Sequence, residues 1–501
     1  MGPFAGYSRL ALLAAWVLLG LIGHDPWKPD EAYTFGLVYH ILETGDWLVP
    51  TLAGEPFVEK PPLFFWTAAL FCKFFGWALP LHDAARLATG FYVALTLWFT
   101  YLAAERRIAA PLLLAATLGY LQHAHQLITD NSLMAGVALG IYGLSRGSGL
   151  LLGTGAGMAF LSKGLLGPGL LGLTAVALVA LRDWRTSWRI WPWALLALAP
   201  WALIWPSLLY SHSPALFHEW FWVNNFGRFT GESGLGGVLD HAHYLKALIW
   251  FGLPAWPLAV WTVWRHRLSS PIVQLPAMAF AVMIVVLSAA SSARTLYGVP
   301  FLVPLAMLAA AALETLPRWL DRLMDALGTW GSAALGIALW VAWIAFIAGW
   351  RPKFIDAGFT PTVGPIALIA AIALTALWVH ALRVQPRLPV RWLAGVTLVW
   401  GLVMTLWLPA LDYEKSYRGV IADMQRHRPP GSCVAARNLT EPQRAVFHYF
   451  AGIAMPGRSD CPLLLVHTPS AATPTPGDGW KLAWRGTRPG DNKEFFWLFS
   501  R

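Results

Sequence analysis

Apolar runs of about 20 residues recur along the first 410 positions, and they constrain the fold more than any other feature. A helix that crosses a bilayer needs about 20 mostly apolar residues. Thirteen runs are predicted as membrane spans, near residues 8–23, 83–104, 108–127, 131–145, 149–162, 164–181, 190–210, 244–264, 272–290, 295–315, 329–349, 361–382 and 391–410. The sequence therefore predicts an all-α polytopic membrane protein.

The composition of this 501-residue chain agrees with that prediction. Hydrophobic residues make up 57% of it and charged residues 12%, which is about half the charged fraction of soluble domains. The chain carries 30 Trp and 26 Phe, as expected where aromatic rings sit at bilayer interfaces. The net charge of +10 lies in short clusters between apolar runs, so we do not expect a nucleic-acid partner.

The positions of the arginines predict which side of the membrane each loop faces. Basic residues occupy the short loops at 105–107, 146, 182–189, 265–267, 318–322 and 383–391. These loops share a side with Arg9 only if the apolar segment 62–79 lies in the interface or re-enters without crossing. The positive-inside rule favours that arrangement. The N-terminus is then cytoplasmic, and residues 24–82, 211–243 and 411–501 face outward.

The sequence divides into a membrane domain, residues 1–410, and a small extracytoplasmic domain, residues 411–501. The second part turns polar and Pro-rich, and it contains short β-like runs at Leu463–Val466 and Phe495–Phe499. We therefore expect an α/β domain there. Cys433 and Cys461 both fall in it. Outside the cytoplasm they form either a disulfide or two buried free thiols.

The predicted topology collects charged side chains from distant segments on the outer face. Alone, each fits an ordinary helix cap, a surface ion pair or a snorkelling lysine. Together, carboxylates opposite cations suit group transfer from an anionic donor, because the former attract the acceptor's proton and the latter hold a leaving phosphate. The set is Asp30, Glu31, Glu59, Lys60, Asp130, Lys163, His241, His243, Lys246, Arg294 and Tyr297.

The first outer loop carries three motifs in a fixed order: Asp30-Glu31-Ala32-Tyr33, then 45–50 (GDWLVP), then 56–66 (PFVEKPPLFFW). This order and spacing resemble the GT-C membrane glycosyltransferases, in particular the ArnT-like aminoarabinose transferases and the protein O-mannosyltransferases. Weaker matches to motifs of these transferases occur at 85–87, 159–164, 224–229 and 294–297. The resemblance covers roughly residues 5–315.

The resemblance implies a function and a set of site residues. Members move a sugar from a polyprenyl-phosphate donor, with inversion, at the periplasmic face of the bacterial inner membrane. The acceptor is lipid A, another glycan or a protein. The family's acids match Asp30, Asp130 and Glu31. Its donor-phosphate ligands match Lys60, Lys163, Lys246, Arg294 and Tyr297. A divalent metal ion (Zn, Mg or Mn) is expected at Glu59 with His241, or with His243 as the second choice.

The sequence leaves several alternatives open. The aromatic run usual after the family histidine here reads Tyr244-Leu245-Lys246-Ala247, and the usual lysine near Arg294 is missing. A protein O-glycosyltransferase that uses a polyprenyl-phosphate hexose is the first alternative. A lipid-linked sugar transporter is the second, although we see no internal repeat typical of transporters. No P-loop is present, and we expect no nucleotide cofactor.

Overall fold

The computed structural model describes residues 3–185, 187–227, 230, 240–268, 270–291, 293–384, 388–455, 461–491 and 493–501. This part of the chain is mostly helical. Its first α-helices are α1 Pro3–Leu18, α2 Asp30–Thr44, α3 Leu63–Phe75, α4 Leu81–Ala103, α5 Ala109–Ala116, α6 Leu118–Ala124, α7 Asp130–Ser145, α8 Gly149–Lys163, α9 Leu166–Val179, α10 Trp191–His212 and α11 Pro214–His218.

The second half continues in the same way. Its α-helices are α12 His243–Phe251, α13 Ala255–His266, α14 Pro271–Ala289, α15 Leu302–Ala312, α16 Arg318–Ile347, α17 Pro365–Val384, α18 Leu388–Leu402, α19 Leu408–Lys415, α20 Arg418–Arg426 and α21 Glu441–Ala451. Other helical turns are Arg182–Trp184, Ser187–Ile190, Glu219–Gly227, Thr295–Phe301 and Val403–Trp407. The strands are β1 Thr51–Leu52, β2 Glu55–Pro56, β3 Val434–Arg437, β4 Leu463–Thr468, β5 Lys481–Thr487 and β6 Phe495–Ser500.

Within the described ranges, six helical segments are long and apolar enough to cross a membrane, and α12 with α13, bent by 105°, makes a seventh if the pair counts as one span. Helical structure overlaps each of the thirteen predicted spans. Several of these helices are short: α7 and α8 have 16 and 15 residues, or about 23 Å at 1.5 Å per residue. A polytopic helical membrane protein is therefore confirmed, whereas the count of thirteen spans stays a prediction.

The segment predicted to lie in the interface is a short helix. α3 has 13 residues, about 20 Å of helix, which is less than the hydrocarbon thickness of a bilayer. Phe74 and Trp77 near its end are 69% and 85% exposed. Exposed rings at the end of a short apolar helix are typical of contact with the membrane interface.

Small residues let α7 and α8 approach closely. A Cβ at Gly136 would lie 2.6 Å from the backbone nitrogen of Ala159, and one at Gly155 would lie 2.4 Å from that of Gly140. Such contacts between small residues are typical of helix pairs in membranes, where van der Waals packing drives association. This packing fixes the start of α7 and the end of α8 relative to each other, and both ends carry candidate site residues.

The chain ends in a four-stranded sheet of order β3-β4-β6-β5. β3 and β4 are parallel, and the other neighbours are antiparallel. The core between the sheet and α20 and α21 includes Tyr417, Phe447, Trp484 and Phe496. A C-terminal domain with helices and a sheet is therefore confirmed, although its exact boundaries stay a prediction. Cys433 and Cys461 form the disulfide that was one of the two expectations.

The C-terminal domain is bonded to the first outer loop. Arg418 donates to both carboxylate oxygens of Asp25, and Ser416 donates to one of them. The backbone N–H of Asp25 in turn donates to Asp412 at 2.9 Å. Arg444 of α21 pairs with Glu55 of β2. These bonds hold the segment that leads directly into α2.

Candidate active site

The first turn of α2 presents two carboxylates with different surroundings. Glu31 is 4% exposed and accepts hydrogen bonds from Arg86 Nε at 3.1 Å and from the backbone N–H of Leu127 at 3.0 Å. Burial opposes ionisation, but these two donors and His24 lower the pKa of Glu31. Glu31 thus ties α2 to α4 and to the turn before α7, and this arrangement favours a positioning role for it.

Asp30 lies at the head of a chain of polar contacts. The Tyr33 hydroxyl donates to Asp30 Oδ1 at 2.8 Å, and Lys60 Nζ donates to that hydroxyl. Arg294 Nη2 lies 3.7 Å from Asp30 Oδ2. Burial opposes the shift, yet the charge of Lys60, the Tyr33 hydrogen bond and the charge of Arg294 lower the pKa of Asp30. Its carboxyl group is therefore an anion at neutral pH.

Lys60 is a buried cation that belongs to this chain of contacts. It follows β2 and precedes the two prolines that start α3, and it is 8% exposed. Desolvation disfavours its charge, but its neighbours Tyr33, Glu59 and Asp30 raise the pKa of Lys60 overall. A buried ammonium group held beside a carboxylate is a preformed partner for an anionic ligand.

A second ion pair joins α7 to α8. Lys163 Nζ donates to Asp130 Oδ1, and it lies 4.4 Å from the centre of the Tyr297 ring. Arg294 lies 5.9 Å from the same ring. Tyr297 therefore sits between the cation beside Asp130 and the cation beside Asp30. The structure brings together five segments that are distant in sequence, at 30–33, 59–60, 130, 163 and 294–297.

A cavity of about 300 Å³ opens next to these cations. Its polar wall is formed by Glu59, Lys60, Lys163, Asn225 and Tyr297. The rest is apolar and includes Leu166, Leu170, Leu173, Val286 and Leu287. A ligand with an anionic head and an apolar tail fits such walls, because the head meets the ammonium groups of Lys60 and Lys163 and the tail meets aliphatic side chains.

Three predicted residues lie apart from this set of contacts. Lys246 is exposed and pairs with Asp240 at 2.9 Å. His241 Nδ1 lies 2.6 Å from the carbonyl oxygen of Ser288. His243 Nε2 is buried, and no hydrogen-bond partner for it occurs in the described ranges. The predicted loop 211–243 includes positions 228–229 and 231–239, which lie outside the described residues.

The predicted metal ligands do not assemble into a recognisable centre. Within the described part of the chain, no group of three or more His, Cys, Asp or Glu side chains has the arrangement needed to hold a metal ion. Glu59 lines the cavity, whereas neither His241 nor His243 does. The described residues therefore show no such cluster, and a metal held by Glu59 with His241 or His243 stays a prediction.

Sequence reasoning missed several residues of this site. Tyr33 stood within the Asp30 motif but received no role, although its position three residues after Asp30 puts both on one helix face. Arg86, which is completely buried, also received none. His123 left no signal at all, because its closeness to Asp130 depends on the turn between α6 and α7. Asn225 accepts a hydrogen bond from the backbone N–H of Leu165 at 3.1 Å, a contact that no motif predicts.

Comparison with known proteins gives the family context. No protein-family model matches the chain. The undecaprenyl phosphate-α-4-amino-4-deoxy-L-arabinose arabinosyl transferase of Pseudomonas aeruginosa strain UCBPP-PA14 is 28% identical over 427 residues, which cover 79% of this chain and 74% of the relative. The enzyme of the same name from Edwardsiella ictaluri is 28% identical over 345 residues, covering 63% and 61%.

A solved structure has the same fold. The crystal structure of ArnT from Cupriavidus metallidurans bound to undecaprenyl phosphate superimposes with a TM-score of 0.72. The match covers 99% of this chain and 98% of that one, at 18% identity. This chain is related to the ArnT-like glycosyltransferases. The GT-C fold that the first loop implied is thereby confirmed.

Proposed function

We propose that the chain is an inverting glycosyltransferase that moves a sugar from a polyprenyl-phosphate donor to lipid A or another cell-envelope glycan. The observation that carries this proposal is the cavity whose polar wall holds Lys60 and Lys163 and whose remaining wall is aliphatic. A polyprenyl phosphate has the matching anionic head and apolar chain. The relatives are named for undecaprenyl phosphate and aminoarabinose, so these are the first donor lipid and sugar to test.

The cations act on the leaving group. In the transfer, the bond between the anomeric carbon and the phosphate oxygen breaks, and polyprenyl phosphate leaves with the electron pair. Lys60, Lys163, Arg294 and Tyr297 surround the place where that negative charge develops. Charges and hydroxyls that are already oriented stabilise a transition state without reorganisation. Lys60 is buried and Lys163 is partly buried, and in such positions these interactions are stronger than in water.

Asp30 acts on the acceptor. The acceptor oxygen forms the new bond to the anomeric carbon from the face opposite the phosphate, which inverts the configuration. If the acceptor is a hydroxyl group, its proton goes to Asp30, whose lowered pKa keeps it an anion ready to accept. If the acceptor is an ionised phosphate, no proton moves, and Asp30 stabilises the positive charge of the oxocarbenium-like transition state. Neither step is routed through a metal ion.

The finer membrane topology belongs to the same proposal. The chain crosses the inner membrane thirteen times, with the N-terminus in the cytoplasm and the C-terminal domain in the periplasm. This order is supported by the arginine-rich loops and by the helices that overlap each predicted span. Cysteines introduced as Arg185→Cys and Ser470→Cys test it. A membrane-impermeant thiol reagent should label the second but not the first in intact cells, and labelling of the first alone would invert the topology.

The function is tested with purified protein in lipid vesicles, synthetic polyprenyl-phosphate sugars and release of polyprenyl phosphate as the readout. Asp30→Asn should lower the rate at least about 100-fold, because it removes the base. Glu43→Gln is the control, since Glu43 lies thirteen residues further along α2, about 20 Å away. Equal rates for wild type and Asp30→Asn would exclude Asp30. Binding of a donor without release, with every acceptor offered, would favour a transporter.

A further inference from the structure

Asp130 has one carboxylate oxygen with a partner and one without. Oδ1 accepts from Lys163, whereas Oδ2 is buried and has no hydrogen-bond partner within the described segments. The residue is 2% exposed. An anionic oxygen taken out of water without a partner is costly, and native proteins seldom leave one unless a ligand or an ordered water completes it. Asp130 therefore has one hydrogen-bonding position to offer.

His123 lies beside it and is unsatisfied as well. It is 8% exposed, and neither ring nitrogen makes a hydrogen bond of ordinary geometry to any described residue, although the Gln126 side chain is near enough to interact. The Asn131 amide donates to the carbonyl oxygens of His123 at 3.3 Å and of Gln126 at 2.9 Å. These bonds fold the end of α6 back onto the start of α7, next to Asp130.

The His123 ring also interacts electrostatically with other charged groups of the site. Its electrostatic neighbours are Asp130, Asp30 and Lys163, which are the groups around the proposed reaction. On another side it contacts the Phe251 ring, with the ring centres 6.3 Å apart. His123 and Asp130 are thus two buried polar side chains, on adjoining helix ends, that have nitrogen or oxygen atoms without hydrogen-bond partners among the described residues.

We propose that His123 and Asp130 form a subsite that binds one hydroxyl group of a substrate, an inference that rests on the proposed glycosyl transfer. A hydroxyl donates one hydrogen bond and accepts another. It donates to Asp130 Oδ2 and accepts from an N–H of the His123 ring. A phosphate anion suits this place poorly, because it has no hydrogen to donate to Asp130 Oδ2 and would bring a second negative charge against that oxygen. The hydroxyl comes either from the transferred sugar or from the acceptor.

The test compares the transfer kinetics of wild type, His123→Phe and His123→Asn. The first change removes both ring nitrogens, and the second keeps an amide N–H. Transfer by His123→Phe should fall about 10- to 100-fold, the range for a lost hydrogen bond in a site with charged groups. His123→Asn should retain more activity than His123→Phe. The affinity for undecaprenyl phosphate, which has no sugar, should change less than about twofold in both.

His125 offers a matched control two residues away. It is also buried, but its Nε2 lies 2.8 Å from the carbonyl oxygen of Trp16, and its ring contacts Trp16 and Trp400. His125→Phe therefore removes a buried imidazole that lies outside the subsite. An equal loss of transfer in His125→Phe and His123→Phe would overturn the proposal, because the effect would then come from packing.

Deoxygenated substrates identify the hydroxyl without relying on a variant that folds. Wild type should lose about 10- to 100-fold with one particular deoxy analogue. His123→Phe should discriminate against that analogue less than wild type does, because only the bond to Asp130 remains to be lost. A deoxy donor with this behaviour assigns the hydroxyl to the sugar, and a deoxy acceptor assigns it to the acceptor. If no single deoxy analogue behaves this way, the subsite is wrong. Lack of release by wild type from every donor would instead refute the glycosyl transfer itself.

Discussion

Tyr33 is the residue whose hydroxyl connects the proposed base to a buried cation, because it donates to Asp30 and accepts from Lys60. Tyr33→Phe removes one of the donors that lower the pKa of Asp30, so that pKa should rise. Activity needs the carboxylate and is lost as the pH falls through its pKa. The loss should therefore begin at a higher pH in the variant, with turnover about 10-fold lower at neutral pH.

The pH dependence of polyprenyl-phosphate release measures this shift. Tyr92→Phe is the control, since Tyr92 is also buried but shares its hydrogen bond with Thr67, at 2.6 Å, away from Asp30. Its pH profile should coincide with that of wild type. A Tyr33→Phe profile that also coincides with wild type would show that the hydroxyl does not control the ionisation of Asp30.

At this scale the sequence predicted some members of the site and not others. Asp30, Lys60, Asp130, Lys163, Arg294 and Tyr297 were predicted, and the structure brings them together. They carry charges or lie in a motif, and the topology assigned them to one face. His123 was not predicted, because a single histidine in an apolar run has no pattern. Lys246 was predicted from the topology and the family resemblance, but the structure pairs it with Asp240 in an exposed position.

At the scale of elements, the end of α8 controls where Lys163 points. Gly164 follows it with φ 67° and ψ −142°, a conformation that side chains with a Cβ rarely adopt. A Cβ there would also lie 1.9 Å from Asn225 Oδ1. Gly164→Ala should displace Asn225 and Lys163 and weaken the binding of undecaprenyl phosphate about 10-fold.

Equilibrium binding of undecaprenyl phosphate checks this expectation. Gly172→Ala is a suitable control, because Gly172 lies in α9 and no heavy atom is within 4 Å of the place where its Cβ would be. It should bind like wild type. If Gly164→Ala binds the lipid phosphate as tightly as the control, then Lys163 does not depend on this helix end.

Elements were predictable where one local pattern decides them. The runs at 463–466 and 495–499 are indeed strands, now β4 and β6, because short apolar runs with valine or aromatic residues pack well in a buried sheet. The run 108–127 was expected as one span, but it is two helices that meet at Thr117, whose ψ is 127°. Leu118 instead donates its backbone N–H to Leu253. A contact with a residue 135 positions away leaves no local signal.

At the scale of the whole molecule, hydrogen bonds and an ion pair link the C-terminal domain to the segment that leads into the site. Asp412 accepts from Trp27 Nε1 at 2.8 Å and from the backbone of Asp25, while Arg418 binds the Asp25 carboxylate. Burial opposes the shift, but Arg418 and Ser416 lower the pKa of Asp25. Residues 25–27 lead directly into the turn that carries Asp30, so the sheet domain helps to fix the position of the proposed base.

Arg418→Ala tests this coupling. The substitution removes the main partner of the buried Asp25 carboxylate. The free energy of unfolding should therefore fall by about 1–3 kcal/mol. A lowered pKa in the folded state stabilises the protein above the carboxyl's ordinary pKa, and that contribution disappears as the pH falls through the folded value. The difference in unfolding midpoint between wild type and Arg418→Ala should therefore shrink in acid.

Arg426→Ala separates this coupling from a simple loss of charge. Arg426 is exposed and pairs only with Asp423 of its own helix among the described residues. The free energy of unfolding of Arg426→Ala should therefore stay close to that of wild type at any pH. Limited proteolysis should release the C-terminal domain faster from Arg418→Ala than from Arg426→Ala, and transfer should slow in parallel. A domain that is released faster while transfer stays at the wild-type rate would show that Asp30 is positioned by the membrane helices alone.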